Sequence, residues 1–132
     1  MKRIAFVAAL ATIVGLAASS MGVNAAEKKE SNKMLRHIVM FKFEESAPKE
    51  DVQKIVDAFI ALEEKIDVID DFEWGTNVSK EGLDKGLTHA FTLTYKSQED
   101  LDTYIEHPDH KAFVKMLGGT LADVCVFDYW AK

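Results

Sequence analysis

The stretch YIEHPDH, residues 104–110, decides how the second half of this chain folds. Pro108 has no backbone N–H and drives the residue before it toward an extended conformation. A helix that arrives through Tyr104 therefore ends here and another begins. Tyr104 follows Leu101 by three residues, which places both side chains on one face of the arriving helix. The stretch predicts a helix-to-helix corner at which a buried phenol meets an imidazole.

Both helices of this corner have their own sequence signals. Residues 97–100, SQED, resemble a capping box, so the first helix is predicted to begin after Ser97 and to run to about Glu106. Beyond Pro108, apolar residues continue at helical spacing through Phe113 and Leu117. The pair Gly118-Gly119 can end this second, short helix.

The rest of the chain alternates in the manner of strands. Apolar and polar residues alternate over residues 72–78 and 87–95, whereas residues 36–43 are apolar on both faces. A helix is predicted between Pro48 and Ile66, a bulge or close backbone approach at Gly75, and a last strand over residues 124–130. The order β-α-β-β-α-α-β predicts an α+β, ferredoxin-like fold with a four-stranded antiparallel sheet.

This fold leaves one face of the sheet without helices. Ile38 and Met40 point to that face although they are apolar. A single domain of this length cannot cover it from within, so we expect a homodimer in which the sheets of two copies pack together.

The first 33 residues are of a different kind. Lys2 and Arg3 precede fifteen uncharged residues, and residues 23–25, VNA, fit a signal-peptide cleavage site. We predict a signal peptide over residues 1–25, a flexible lead over residues 26–33 and one domain over residues 34–132. The protein is then exported, periplasmic or secreted, after cleavage near Ala25. The alternative is a retained anchor, but the apolar run is shorter than the roughly 20 residues that span a membrane.

Charge and cysteine content exclude several kinds of partner. The net charge is −6 and no dense basic patch is present, which disfavours binding to nucleic acid or to anionic membranes. Cys125 is alone, so no disulfide can form within the chain. It lies in an apolar run, so two roles remain for its thiol: burial in the core, or a disulfide bridge to a second chain.

Five segments together resemble the stress-responsive A/B barrel domain (Dabb) family. They cover most of the region from residue 34 to residue 130 and follow the family's order: residues 36–43, 74–79, 88–89, 104–110 and 126–129. The resemblance implies a dimeric α+β barrel. Some plant members are polyketide cyclases that close a ring by aldol condensation without a cofactor. Their catalytic tyrosine and histidine correspond to Tyr104 and His110, and histidines at the positions of His37 and His89 line the same cavity.

The residue types fit that chemistry. An aldol closure needs a base that removes a proton next to a carbonyl and a donor for the resulting oxyanion. His110, near a helix N-terminus that disfavours imidazolium, can be the base, and Tyr104 can be the donor. If the corner packs over the sheet, His37 and His89 join them around one pocket, and we expect its apolar wall to be formed by Phe41, Phe91 and Phe113.

Plainer roles for these residues stay open. His37 and His89 can be core residues, and Tyr104 and His110 can bind a ligand without catalysis. A metal site built from His107, Asp109 and His110 lacks the usual helical pair of ligands, so we predict neither a metal nor a cofactor. The functions to be distinguished are an exported homodimer that binds a small organic molecule, a cofactor-independent cyclase or lyase, and, by shape alone, a relative of haem- or quinol-handling monooxygenases.

Overall fold

The computed structural model describes residues 33–132, and within them the order is β-α-β-β-α-α-β. The strands are β1 (Leu35–Phe43), β2 (Asp71–Thr76), β3 (His89–Tyr95) and β4 (Leu121–Trp130). The helices are α1 (Lys49–Lys65), α2 (Gln98–Glu106) and α3 (Pro108–Met116). This arrangement confirms the predicted α+β, ferredoxin-like fold.

The predicted signal peptide, residues 1–25, and the predicted lead up to residue 32 lie outside the described residues. Among the helices that the structure does describe, none has the length and apolar character needed to cross a membrane.

One sheet contains these strands in the order β2-β3-β1-β4, with antiparallel pairing throughout. In this register His37 of β1 lies opposite Leu93 of β3 on one side and Asp128 of β4 on the other. Side chains alternate between the two faces of a strand, so all three point to the face that carries the helices. The residue paired with each candidate on a strand therefore gives its position along the sheet and the face to which its side chain points.

The corner at Pro108 forms as predicted. The Ser97 hydroxyl accepts a hydrogen bond from the Asp100 backbone N–H at 3.0 Å and caps the start of α2. His107 ends α2 in an extended conformation, and its ring Nδ1 accepts a hydrogen bond from the Asp109 N–H at the start of α3. One extended residue therefore separates two helices, with Pro108 at the first helical position of α3.

An aromatic cluster fills the space between the sheet and the helices. Phe59 of α1 lies with its ring centre 4.4 Å from that of Phe91, 4.6 Å from Phe113 and 5.8 Å from Phe41. All four side chains are buried, and Phe72 contacts the cluster from β2. This packing anchors α1 and α3 to the sheet because aromatic rings bury large apolar areas.

The sequence misplaced several details at strand ends. The strand β2 ends at Thr76, two residues before the predicted end, and Val78 is exposed. Pairing through Gly75 is regular, with no atom near the place of a missing Cβ, so the predicted bulge is wrong. The register shift lies instead between Lys42 and Phe43, where β1 meets the start of β4. The strand β4 begins at Leu121, three residues before the predicted start at Val124.

The sheet face without helices is apolar at its β4 side. Ile38 and Met40 are half-buried there and pair with Phe127 and Cys125 of β4. Phe127 is 60% exposed, and Tyr129, the next β4 residue on this face, is 42% exposed. We call this surface the open face. The strand β4 is also exposed on its other side, where Val126 is 54% accessible. An edge strand with apolar side chains on both sides needs a cover.

Candidate functional site

The corner places Tyr104 and His110 in contact. Tyr104 is buried on the inner side of α2, next to Leu101. After the turn at Pro108, the first turn of α3 directs His110 back toward it, with ring centres 4.4 Å apart. The sequence prediction that a phenol and an imidazole meet at this corner is therefore confirmed by the geometry.

A hydrogen bond fixes which nitrogen of His110 is available. Its Nδ1 lies 3.0 Å from the backbone carbonyl oxygen of Ile105. A carbonyl oxygen can only accept, so Nδ1 carries the proton and donates it. The other nitrogen, Nε2, is then left with its lone pair in the neutral ring. Such a nitrogen can accept a proton from a ligand or a hydrogen bond from its hydroxyl.

Burial keeps His110 neutral near pH 7. The pKa of the ring lies below its ordinary value, chiefly because burial disfavours the charged imidazolium. The Ile105 carbonyl and the Glu106 carboxylate act in the opposite direction, and His37 and His107 lower the pKa further. The sequence argument attributed the neutral state of His110 to the helix N-terminus, whereas in the structure desolvation is the largest cause of its lowered pKa.

His37 approaches Tyr104 from the sheet. It is 6% exposed, and its ring centre lies 5.7 Å from that of Tyr104 in an edge arrangement. Its Nδ1 donates a hydrogen bond to the Asp128 carboxylate at 2.6 Å. This bond holds the ring in place and directs its Nε2 away from Asp128.

Tyr95 completes the group. Its ring centre is 5.5 Å from that of Tyr104 and 6.3 Å from that of His37. Burial raises the pKa of both tyrosine hydroxyls, so both are neutral at physiological pH and can donate hydrogen bonds. We call His37, Tyr95, Tyr104, His110 and Asp128 the tyrosine–histidine centre.

His89 does not belong to this centre, and the predicted convergence of four residues is wrong for it. It pairs with Phe41 on β1, four residues along β3 from the position opposite His37, or about 13 Å. Its ring packs edge-on against Phe43 at 5.0 Å and parallel to Trp74 at 6.3 Å. Burial lowers its pKa as well.

The three phenylalanines predicted to line a pocket are core residues. Phe41, Phe91 and Phe113 are 1%, 0% and 4% exposed and pack on Phe59. On the helix-facing side of β3, Phe91 and Leu93 lie between His89 and Tyr95. Alternation correctly predicted that Phe41 and Phe91 face the helices, but that face is closed here.

A groove of about 510 Å³ lies at the other end of the sheet. Its floor is the row Met40, Ala90 and Gly75 on the open face, and the loop after β2, with Leu83 and Leu87, forms its wall. His89 borders this groove, and the tyrosine–histidine centre does not.

Within residues 33–132, no three His, Cys, Asp or Glu side chains are arranged to hold a metal ion. The metal alternative therefore has no set of ligands in this part of the chain. The His107 ring is used by the cap of α3, and Asp109 lies 3.7 Å from it as part of that cap.

Two members of the centre were missed from the sequence. Asp128 is a carboxylate in the otherwise apolar run from Val124 to Trp130, which was a signal for a specific partner. Tyr95 ends the clearest alternating strand and shares the face of Phe91. Its distance from Tyr104 depends on tertiary packing and had no local signal.

Comparison with known proteins gives consistent results. A family model described as the stress responsive A/B barrel domain (Dabb) matches residues 35–131. Stress-response A/B barrel domain-containing protein HS1 of Arabidopsis thaliana is 32% identical over 101 residues, which are 76% of this chain and 93% of that protein. Olivetolic acid cyclase of Cannabis sativa is 25% identical over 95 residues, covering 72% and 94%.

A solved structure from Bacteroides fragilis has the same fold. It is described as a dimeric protein of unknown function with a ferredoxin-like fold. It superposes with a TM-score of 0.61 at 29% identity and covers 74% of this chain and 96% of its own. The family model's match, residues 35–131, contains every residue of the tyrosine–histidine centre.

We expect His110 to titrate below pH 6.5 in the folded protein, because burial disfavours its imidazolium form. Between its folded pKa and 6.5 the unfolded chain binds more protons, so the stability that neutral His110 contributes is present above pH 6.5 and is lost on acidification. The measurement is an NMR titration of the ring protons, assigned with His110→Gln.

The matched control is chemical unfolding of both proteins between pH 8 and pH 5. The stability of the wild type relative to His110→Gln should fall as the pH is lowered. A His110 resonance that titrates above pH 6.5 would contradict this assignment.

Proposed function

The chain belongs to the stress-responsive A/B barrel domain (Dabb) family, and from this membership we propose that it binds a small organic molecule at the tyrosine–histidine centre. The observation that carries the proposal is the contact between Tyr104 and His110, with His37 held beside them by Asp128. A structural role alone does not require two imidazoles beside one buried phenol, each with its Nδ1 in a hydrogen bond and its Nε2 in none within residues 33–132.

The centre favours a ligand that carries oxygen on an apolar body. Two neutral phenols can donate to a carbonyl or hydroxyl oxygen, and the neutral His110 can accept a proton or a hydrogen bond. The rings of His37, Tyr95 and Tyr104 give the centre aromatic surfaces, which suit a flat molecule with an apolar body. Phenols and compounds with several keto groups have both properties. The half-exposed His110 and Asp128 are the members of the centre that such a ligand meets first.

A cofactor-independent cyclase or lyase is the second candidate, and the protonation state of His110 favours it. Its Nε2 would remove a proton from carbon next to a keto group, and Tyr104 would donate to the enolate oxygen that forms. The enolate carbon then bonds to a second carbonyl carbon of the same molecule, and the new alkoxide takes the proton back from His110. Olivetolic acid cyclase, named above as a relative, makes this reaction class the first to test.

A haem- or quinol-handling role rests only on similarity of shape. Architecture does not determine function, and the contacts of the centre add no argument for a redox group.

We also propose that the protein is a homodimer formed through the open face. Ile38 and Met40 with the exposed Phe127 and Tyr129 form a continuous apolar surface that a second copy would cover. The related Bacteroides fragilis protein is described as dimeric.

Export is a further part of the proposal and depends on the sequence of residues 1–25. The charged start, apolar run and small-residue site are the pattern of a cleaved signal peptide.

Binding is tested by thermal unfolding with a panel of phenolic and poly-β-keto compounds. A ligand at 100 times its Kd should stabilise the wild type by about 2.7 kcal/mol. Tyr104→Phe and His110→Ala should each reduce this effect, because each removes a direct contact. His89→Gln, which lies outside the centre, is the matched control and should retain the full effect.

The same variants test turnover of a poly-β-keto substrate. As a general base, His110 should account for about 10²- to 10⁴-fold in rate, so His110→Ala should lose that much. Unchanged turnover in both His110→Ala and Tyr104→Phe rules out the cyclase. An undiminished thermal shift in both variants rules out binding at this centre.

For the dimer, we expect the solution mass of two chains at micromolar concentration. Phe127→Glu places a charge in the apolar surface and should shift the mass toward one chain. Val78→Glu, at a position that is 87% exposed in a loop, is the control and should leave the mass unchanged. A wild type with the mass of one chain would contradict the proposal.

For export, the full chain is expressed in a Gram-negative host and the recovered protein is sequenced from its N-terminus. We expect Ala26 at the start of protein from the periplasm, and retention in the cytoplasm when residues 2–25 are deleted. Recovery of an intact Met1 in all fractions would overturn signal cleavage.

A further inference from the structure

Tyr95 has a buried hydroxyl group with no hydrogen-bond partner anywhere in residues 33–132. The side chain is fully buried, with a relative exposure of 0%. Buried polar groups are nearly always hydrogen-bonded, because leaving one unpaired forfeits its bonds to water. A phenylalanine would fill the same space without this loss. The hydroxyl therefore points to a partner that lies outside residues 33–132.

The position of Tyr95 indicates where that partner binds. Its ring lies between those of Tyr104 and His37, at centre distances of 5.5 Å and 6.3 Å. Tyr104 in turn contacts His110. The unpaired hydroxyl is thus part of the centre to which a ligand was assigned above.

We propose that the Tyr95 and Tyr104 hydroxyls form a two-donor site for one ligand oxygen that carries or gains negative charge. The ligand class is phenols and enolisable β-dicarbonyl compounds, whose oxygens ionise easily. This inference rests on the proposed function; it adds that both phenols donate to the same ligand oxygen and that this oxygen carries or gains negative charge.

Both hydroxyls are suited to donation at any physiological pH. Burial raises the pKa of each, and the nearby Tyr104 and Asp128 raise that of Tyr95 further. Donors that stay protonated and are held by packing need little rearrangement when charge develops on a bound oxygen. A site with buried donors also rejects molecules that lack the oxygen, because the donors would then be left unpaired.

Tyr95→Phe provides the first test, in the ligand-free protein. If the hydroxyl is unpaired, its removal should raise Tm by about 4 °C or more, since an unpaired buried group is destabilising. A fall in Tm would show that the hydroxyl already has a partner, for example a buried water, and would overturn the proposal. Thr76→Val, which removes a hydroxyl at an exposed position at the end of β2, is the control and should leave Tm unchanged.

Binding of 4-nitrophenol and of nitrobenzene provides the second test, because the two probes differ by one oxygen. The wild type should prefer 4-nitrophenol, and its absorbance should shift toward that of the phenolate on binding. Tyr95→Phe should weaken 4-nitrophenol about tenfold, the value of one hydrogen bond to a charged group, and leave nitrobenzene unchanged. Thr76→Val should bind both probes as the wild type does.

Tyr104→Phe separates this inference from the proposed function. If Tyr104→Phe weakens 4-nitrophenol and Tyr95→Phe does not, the two-donor site is wrong and binding at the centre stands. If the wild type does not prefer 4-nitrophenol to nitrobenzene, the two-donor site is wrong as well. If neither probe binds, the proposed function fails together with it.

Discussion

The backbone restriction at Pro108 is the constraint on which the candidate site depends. A continuous helix through residues 104–110 would carry Tyr104 and His110 away from each other by six residues of helical rise and rotation. Because His107 is extended, the chain instead reverses within one residue, and α3 returns His110 to Tyr104. The Nδ1–H of His110 then reaches the Ile105 carbonyl at the end of α2. The ring of Pro108 thus determines the contact between Tyr104 and His110, and with it the tautomer and the burial of the His110 imidazole.

The second half of the centre comes from strand pairing. His37 on β1 and Asp128 on β4 are 91 positions apart, and the antiparallel register brings them to 2.6 Å. Tyr95 arrives from β3 on the same face. Three strands and two helices therefore contribute one residue each, and the sheet supplies the rigid side. Sites built on such elements hold their geometry better than sites on loops, which is what proton transfer or selective binding requires.

The sequence predicted what depends on local signals. Ser97 and Pro108 fixed the helix ends, and alternation through β3 fixed which side chains face the helices. It failed where position along a strand matters. His89 shares a face with His37, but alternation does not reveal that the two lie four residues apart along the sheet, with Phe91 between these positions on β3. Asp128 was missed for the same reason, since the β1–β4 register is a long-range property. The expectation that Phe41 and Phe91 face the helices was right, and the assignment of Phe41, Phe91 and Phe113 to the wall of a pocket was not.

The exposed strand β4 has a consequence for how the protein matures. Ten residues long and apolar on both sides, it lies at the border of the sheet with one row of backbone groups unpaired among residues 33–132. A newly made copy that has not yet dimerised exposes an unpaired edge strand, to which an unfolded polypeptide nearby can bind. Dimerisation and aggregation then compete for the same strand. The yield of native protein therefore depends on how fast copies accumulate where they fold.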